Sequence, residues 1–88
     1  LSQNYPNPFN PTTTIAYTLQ KATDVTLTVY NMMGRKVKTL VSERIGAGAN
    51  SVQWDGTDAA GQKVMSGIYF YKLETENMSQ TKKMLLVE

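Results

Sequence analysis

The 88-residue chain contains no cysteine and no histidine. Their absence removes disulfide staples, thiol nucleophiles, the usual zinc ligands and the commonest general base together. A cysteine-free domain suits the cytosol and a Gram-negative cell exterior alike, so composition leaves the redox compartment open. No apolar run approaches the ~20 residues of a membrane helix. The longest candidate, residues 67–73, is interrupted by Lys72, and membrane insertion is not expected. Charge is sparse and mixed: nine basic and seven acidic residues give a formal +2. The one basic cluster, Arg35, Lys36 and Lys38, has no aromatics interleaved with it and reads as a solvated hairpin face, not a nucleic-acid surface. A chain of this size buries somewhat over ~60% of its unfolded surface, enough for one modest core with no catalytic domain beside it. It starts at Leu1 and not at Met, so the N-terminus is expected to be a cut or processing point, any signal peptide having been lost upstream.

Proline is absent from all but the first eleven residues. Pro6, Pro8 and Pro11 sit in Asn4-Tyr5-Pro6-Asn7-Pro8-Phe9-Asn10-Pro11. Proline fixes φ and pushes the preceding residue toward extended geometry, which holds Tyr5, Asn7 and Asn10 out of the helical region. Residues 1–11 are therefore expected to be a stiff, extended lead-in with one apolar plug, Phe9. Residues 12–88 are expected to form the domain proper.

That domain shows the period of two and no helical period. Val25, Leu27 and Val29 alternate with Thr26, Thr28 and Tyr30, as a strand with one buried face requires. Asn31-Met32-Met33-Gly34 forms a short connection, with Gly34 where positive φ is needed, and residues 35–41 return as a partner strand. The odd spacing of Val37 and Leu40 predicts a bulge or an early strand end near Lys38-Thr39. Residues 42–49 read as a loop crossing between sheets. Residues 50–54 are a brief strand, 63–65 a short edge piece, 67–76 the longest strand and 80–87 the last. With the strand that follows Pro11, this makes about seven strands with turns every 8–12 residues or so, the pattern of an all-β, Ig-like antiparallel β-sandwich. Trp54 is the natural centre of its core, between the sheets with Leu27, Val29 and Tyr71.

Five motifs follow one another in order: Tyr5-Pro6-Asn7-Pro8-Phe9-Asn10-Pro11; Leu27-Thr28-Val29-Tyr30-Asn31 with Gly34-Arg35-Lys36-Val37; Trp54-Asp55-Gly56; Gly67-Ile68-Tyr69-Phe70-Tyr71-Lys72-Leu73; and Lys82-Lys83-Met84. The series resembles the type A C-terminal sorting domain of the type IX (Por) secretion system. It is also similar to the Ig-like domain of the flagellar hook-capping protein. The resemblance implies structural roles for Pro6, Pro8, Phe9, Pro11, Gly34, Trp54, Gly67, Tyr69 and Tyr71. It further implies that the terminal strand, with Lys82, Lys83, Met84, Leu85, Leu86 and Val87, is part of what the secretion machinery reads; the equally simple role of Lys82 and Lys83 is to protect an edge strand from aggregation.

On that resemblance the chain is a targeting module and no enzyme, with no cofactor. Its partners would be secretion-machinery proteins and an upstream parent domain. It would pass through the periplasm and end at the cell surface or outside the cell, where such domains are removed and the cargo is attached to lipopolysaccharide or released. The rival reading is a structural Ig-like unit, hook-cap-like or filament-forming, that self-associates through a strand edge. A carbohydrate-binding appendage, built on the aromatics around Tyr69, Phe70 and Tyr71, is the weaker third. Asp55 and Asp58 lie in a Gly-rich loop and are the candidates for calcium. Their simpler role is to accept backbone N–H bonds in Asx-type turns. Glu43, Glu74, Glu76 and Glu88 offer no carboxylate pair of fixed separation for glycoside chemistry.

Overall fold

The computed structural model describes residues 1–87, so Glu88 lies outside the described residues. Six strands form two antiparallel sheets: β1 (Thr13–Leu19), β2 (Thr23–Asn31), β3 (Lys36–Ile45), β4 (Gly48–Trp54), β5 (Gly67–Glu74) and β6 (Ser79–Leu86). The larger sheet has the order β3-β2-β5-β6, and β1 pairs with β4 in the smaller. The alternation that marked the strands decides which face is buried. Ile15, Tyr17 and Leu19 of β1, Val25, Leu27 and Val29 of β2, and Tyr69, Tyr71 and Leu73 of β5 all point into one core. Met84 and Leu86 of β6 join them, opposite Tyr69 and Gly67. Each fully buried aliphatic side chain contributes about 1.5–3 kcal/mol of transfer free energy.

Two sequence expectations are corrected and a third is sharpened. The strand count is six among the described residues: residues 63–65 form no strand, because Val64 N–H bonds back to Gly56 O at 2.9 Å within their own loop and only a single bridge joins Lys63 to Thr57. Residues 42–49 are not a crossing loop. Ser42, Arg44 and Ile45 stay paired with Thr26, Asp24 and Thr23, and only residues 46–47 separate β3 from β4. The bulge expected near Lys38-Thr39 is two bulges that bracket it, at Leu40 and Val37, and the strand continues past both to Ile45. Two extra residues in β3 re-aim its side chains and steepen its twist without ending the ladder.

Gly34 closes the β2–β3 hairpin with φ of 80°, a backbone that a Cβ disfavours. Asn31 holds the turn twice over, its carbonyl accepting from Gly34 N–H and its side-chain oxygen from the N–H groups of Met33 and Arg35.

Candidate functional site

The edge strand β6 and the proline-rich N-terminus are built into one surface. Residues 1–9 run up the open side of the sandwich between the two sheets and hydrogen-bond to both. Toward the small sheet, Ser2 N–H reaches Ala16 O at 2.9 Å, and Tyr5 and Thr14 exchange a pair of backbone bonds at 2.9 Å each. Toward the large sheet, Gln3 Nε2 donates to Lys83 O (2.7 Å) and Asn7 Oδ1 accepts from Leu85 N–H (2.9 Å). Phe9 then bridges β6 in parallel, its N–H to Leu85 O and its carbonyl from Val87 N–H, both 3.0 Å. An edge strand presents unpaired N–H and C=O groups to any passing strand. Here this strap occupies them along the upper half of β6.

Proline chemistry explains why the strap makes so few ladder bonds of its own. Pro6, Pro8 and Pro11 have no N–H to give, so side chains of Gln3 and Asn7 substitute for backbone donors and acceptors. Phe9 is the plug: it is 1% exposed, with its ring centroid 5.6 Å from that of Trp54. Trp54 in turn stands edge-on to Tyr69 at 5.4 Å and donates its indole N–H to Thr57 O at 2.8 Å. Pro11 passes so close to the loop that a Cβ on Gly56, which has φ of +77°, would meet Pro11 O at 3.3 Å. Gly67 opens β5 opposite Leu86, at the same end.

Sequence reasoning missed Asn4, a buried polar residue at the centre of the strap's anchor. Its N–H donates to the Tyr71 hydroxyl (2.8 Å), which donates to Ser2 O (2.7 Å). Its side-chain Nδ2 reaches Thr13 Oγ1 at 3.0 Å, and that hydroxyl donates to Pro6 O at 2.9 Å. Among the described residues no buried side-chain nitrogen or oxygen lacks a partner. Burial raises the Tyr71 hydroxyl's pKa above the ordinary tyrosine value, the bond from Asn4 opposing it. We expect Tyr71→Phe to cost about 1–3 kcal/mol, because it strands the buried Asn4 N–H and frees Ser2 O. Urea denaturation measures the loss, and amide exchange at Asn4 locates it.

The terminal-strand candidates divide between two faces. Register places Lys82 opposite Tyr71 on the inward face, half-buried at the sheet margin, while Lys83 stands opposite Phe70 on the outer face, exposed. Met84 and Leu86 are core; Leu85 and Val87 are 37% and 40% exposed. The recognition candidates are therefore Lys83, Leu85 and Val87 outside, with Lys82 at the margin, and two that cannot be read without unfolding.

Asp55 and Asp58 are engaged in turns. Asp55 Oδ1 accepts from Thr57 N–H and from its hydroxyl, and Asp58 Oδ1 accepts from Ala60 and Gln62 N–H at 2.9 and 3.0 Å. The Thr57 hydroxyl bond holds the Asp55 carboxyl below its usual range, and burial partly opposes this. Among the described residues no group of three or more acidic, His or Cys side chains is placed to hold a metal. Calcium is expected to leave the melting temperature unchanged. Binding at 100 times Kd would add ~2.7 kcal/mol, so a clear upward shift that Asp58→Ala removes would contradict the turn role. Of the carboxylates considered for glycoside chemistry, Glu76 pairs with Arg44 and Glu74 with Lys72, on the surface at 3.5 and 3.7 Å. Lys38, from the basic cluster, donates to Thr57 Oγ1 at 3.1 Å, while Arg35 and Lys36 are exposed.

Comparison with known proteins agrees with this architecture. No curated protein matches the chain by sequence. Among solved structures it is similar to part of latent dimeric PorU from Porphyromonas gingivalis, at 22% identity over 97% of this chain and 9% of that one, with a TM-score of 0.75. It is similar to part of PorZ, an essential surface component of the type IX secretion system of the same organism, at 20% identity over 98% of this chain and 11% of that one, TM-score 0.71. It also resembles FlgD from P. aeruginosa, at 25% identity over 84% of this chain and 57% of that one, TM-score 0.67. The chain thus spans a small fraction of PorU and PorZ and little more than half of FlgD. The FlgD Ig-like domain family matches residues 7–79, from within the strap to the start of β6, and the chain belongs to that family.

Proposed function

We propose that this Ig-like module is a sorting signal, read as a folded object by the outer-membrane machinery of a type IX secretion system, and that it performs no reaction. The observation that carries the reading is the joining of two distant motifs. The proline-rich segment and the terminal strand, some eighty residues apart in sequence, lie side by side through the bonds of Gln3, Asn7 and Phe9 to Lys83, Leu85 and Val87. A receptor docking there meets both at once, and only when the chain is folded. The fold likeness to PorU and PorZ, the latter a type IX secretion component, supports the reading.

The test is export. A periplasmic reporter carrying the module at its C-terminus, in a host with the type IX system, is expected at the cell surface or in the medium, while the reporter alone stays in the periplasm. Equal retention of both would contradict the proposal. The rival structural role, suggested by the likeness to FlgD, gains nothing from the strand edges on this side, since the strap already covers β1 and the upper half of β6.

A further inference from the structure

The outer face of the large sheet carries a pattern that the core does not explain. Register aligns four residues straight across all four strands: Lys36 of β3, Tyr30 of β2, Phe70 of β5 and Lys83 of β6. Two aromatics are flanked by a cation at each end. One row higher, Ile68 and Leu85 stand side by side on the same face. Tyr30, Ile68 and Phe70 are only half-buried, Leu85 is 37% exposed, and both lysines are exposed. The next rows down change character, to Thr39, Thr28, Lys72 and Thr81 and then Ser42, Thr26, Glu74 and Ser79. Lys72 is already paired with Glu74 at 3.7 Å, so the lower half of the face is self-neutralised. The upper half is not: among the described residues its two rows contain no carboxylate.

We propose that this upper half is the docking surface for an acidic segment of a partner protein that carries apolar side chains between its carboxylates. This deepens the sorting reading and rests on it. The charge complement is the argument for acidity, because two cations that form no ion pair among the described residues, set on either side of an apolar floor, steer an oppositely charged partner and fix its register. The floor itself argues for protein. Ile68 and Leu85 offer no hydrogen bonds to sugar hydroxyls, and these two rows contain no Asn, Gln, Asp or Glu to supply them. A polypeptide can fill the aliphatic row with side chains and lay carboxylates on Lys36 and Lys83. Buried aromatics ringed by polar residues are the usual anchors of such interfaces.

The test uses the export assay with paired variants. Lys36→Glu with Lys83→Glu is expected to lower the exported fraction about tenfold, since the reversed charges would repel an acidic partner instead of attracting it. Lys36→Arg with Lys83→Arg should be exported as the parent is. Lys21→Glu with Lys63→Glu, which makes the same change in net charge away from this face, should also be exported normally. Melting temperatures of the purified variants exclude misfolding as the cause. A photoreactive benzoyl-phenylalanine in place of Phe70 should crosslink a protein, and the adduct should vanish with the double Glu change. Normal export of the Lys36→Glu, Lys83→Glu variant overturns the inference, as does a crosslink to polysaccharide, to a second copy of the module, or to nothing. If the unaltered module is not exported at all, the sorting reading falls and this inference falls with it. If the module is exported and the charge reversal changes nothing, only the inference falls.

Discussion

Trp54→Ala is expected to remove a large part of the stability of the domain. Trp54 is 1% exposed and ends β4, where the smaller sheet meets the strap and the larger one. Its ring contacts Phe9 on one side and Tyr69 on the other, and its indole N–H holds the 55–62 loop through Thr57 O. Truncation deletes that burial, leaves a cavity that three separate elements would have to fill, and frees the loop carbonyl. Phe or Trp to Ala changes in cores cost about 3–5 kcal/mol, against a total of about 5–15 kcal/mol for a typical domain. For a chain this short each kcal/mol lowers Tm by about 4–8 °C, so a fall of ~12 °C or more is expected. Trp54 is the only tryptophan, so the variant must be followed by circular dichroism in place of indole fluorescence. A loss below ~1 kcal/mol would mean the core is centred elsewhere.

Loss of the strap should be as damaging, and in a different way. Phe9→Ala alone is expected to cost about 3–5 kcal/mol by the same cavity argument. Deleting residues 1–9 also strips the cover from both edges. The partners of Ser2 and Tyr5 on β1 and of Gln3, Asn7 and Phe9 on β6 would then face solvent. Exposed edges pair with other edges. The truncated chain is therefore expected to be destabilised and to self-associate, whereas Phe9→Ala, which keeps the strap's backbone bonds, should be destabilised but monomeric. Size-exclusion chromatography with thermal denaturation separates the two effects. A monomeric truncation with an unchanged Tm would show the strap to be dispensable.

The strands β2 and β5 were legible because one face of each is fully apolar and the other is not, so period two survives in the sequence. The end of β3 was not. Ser42, Glu43 and Arg44 are all exposed and carry no alternation; what keeps them in a strand is the pairing of Asp24 to Thr26 opposite. Residues 63–65 erred the other way, since Val64 and Met65 look like a strand but Val64 is tied to its own loop and Met65 is exposed. For the site, proline and Phe9 announced a stiff segment with a plug, yet nothing local says that the plug lands on Trp54 or that Asn7 caps Leu85. Those are contacts between residues about 45 and 78 positions apart, set by where the two sheets leave an opening. Asn4 left no local sign, because a polar residue in a proline-rich lead-in does not announce that it will be buried against Tyr71 and Thr13. The row Lys36, Tyr30, Phe70 and Lys83 left none, because its members are contributed by four different strands. Lys82 and Lys83 are adjacent in sequence, yet one residue of pleat separates them onto opposite faces.

The role proposed for this folded module is to direct its parent chain to a type IX translocon. Surface exposure of the reporter fusion, measured by protease accessibility on intact cells in two strains differing only in a functional translocon, tests it most directly. The fusion is expected to be accessible in the strain with the translocon and protected in the periplasm of the strain without it. Protection in both strains, with the purified module assembling into oligomers or filaments, would contradict it and favour the structural role.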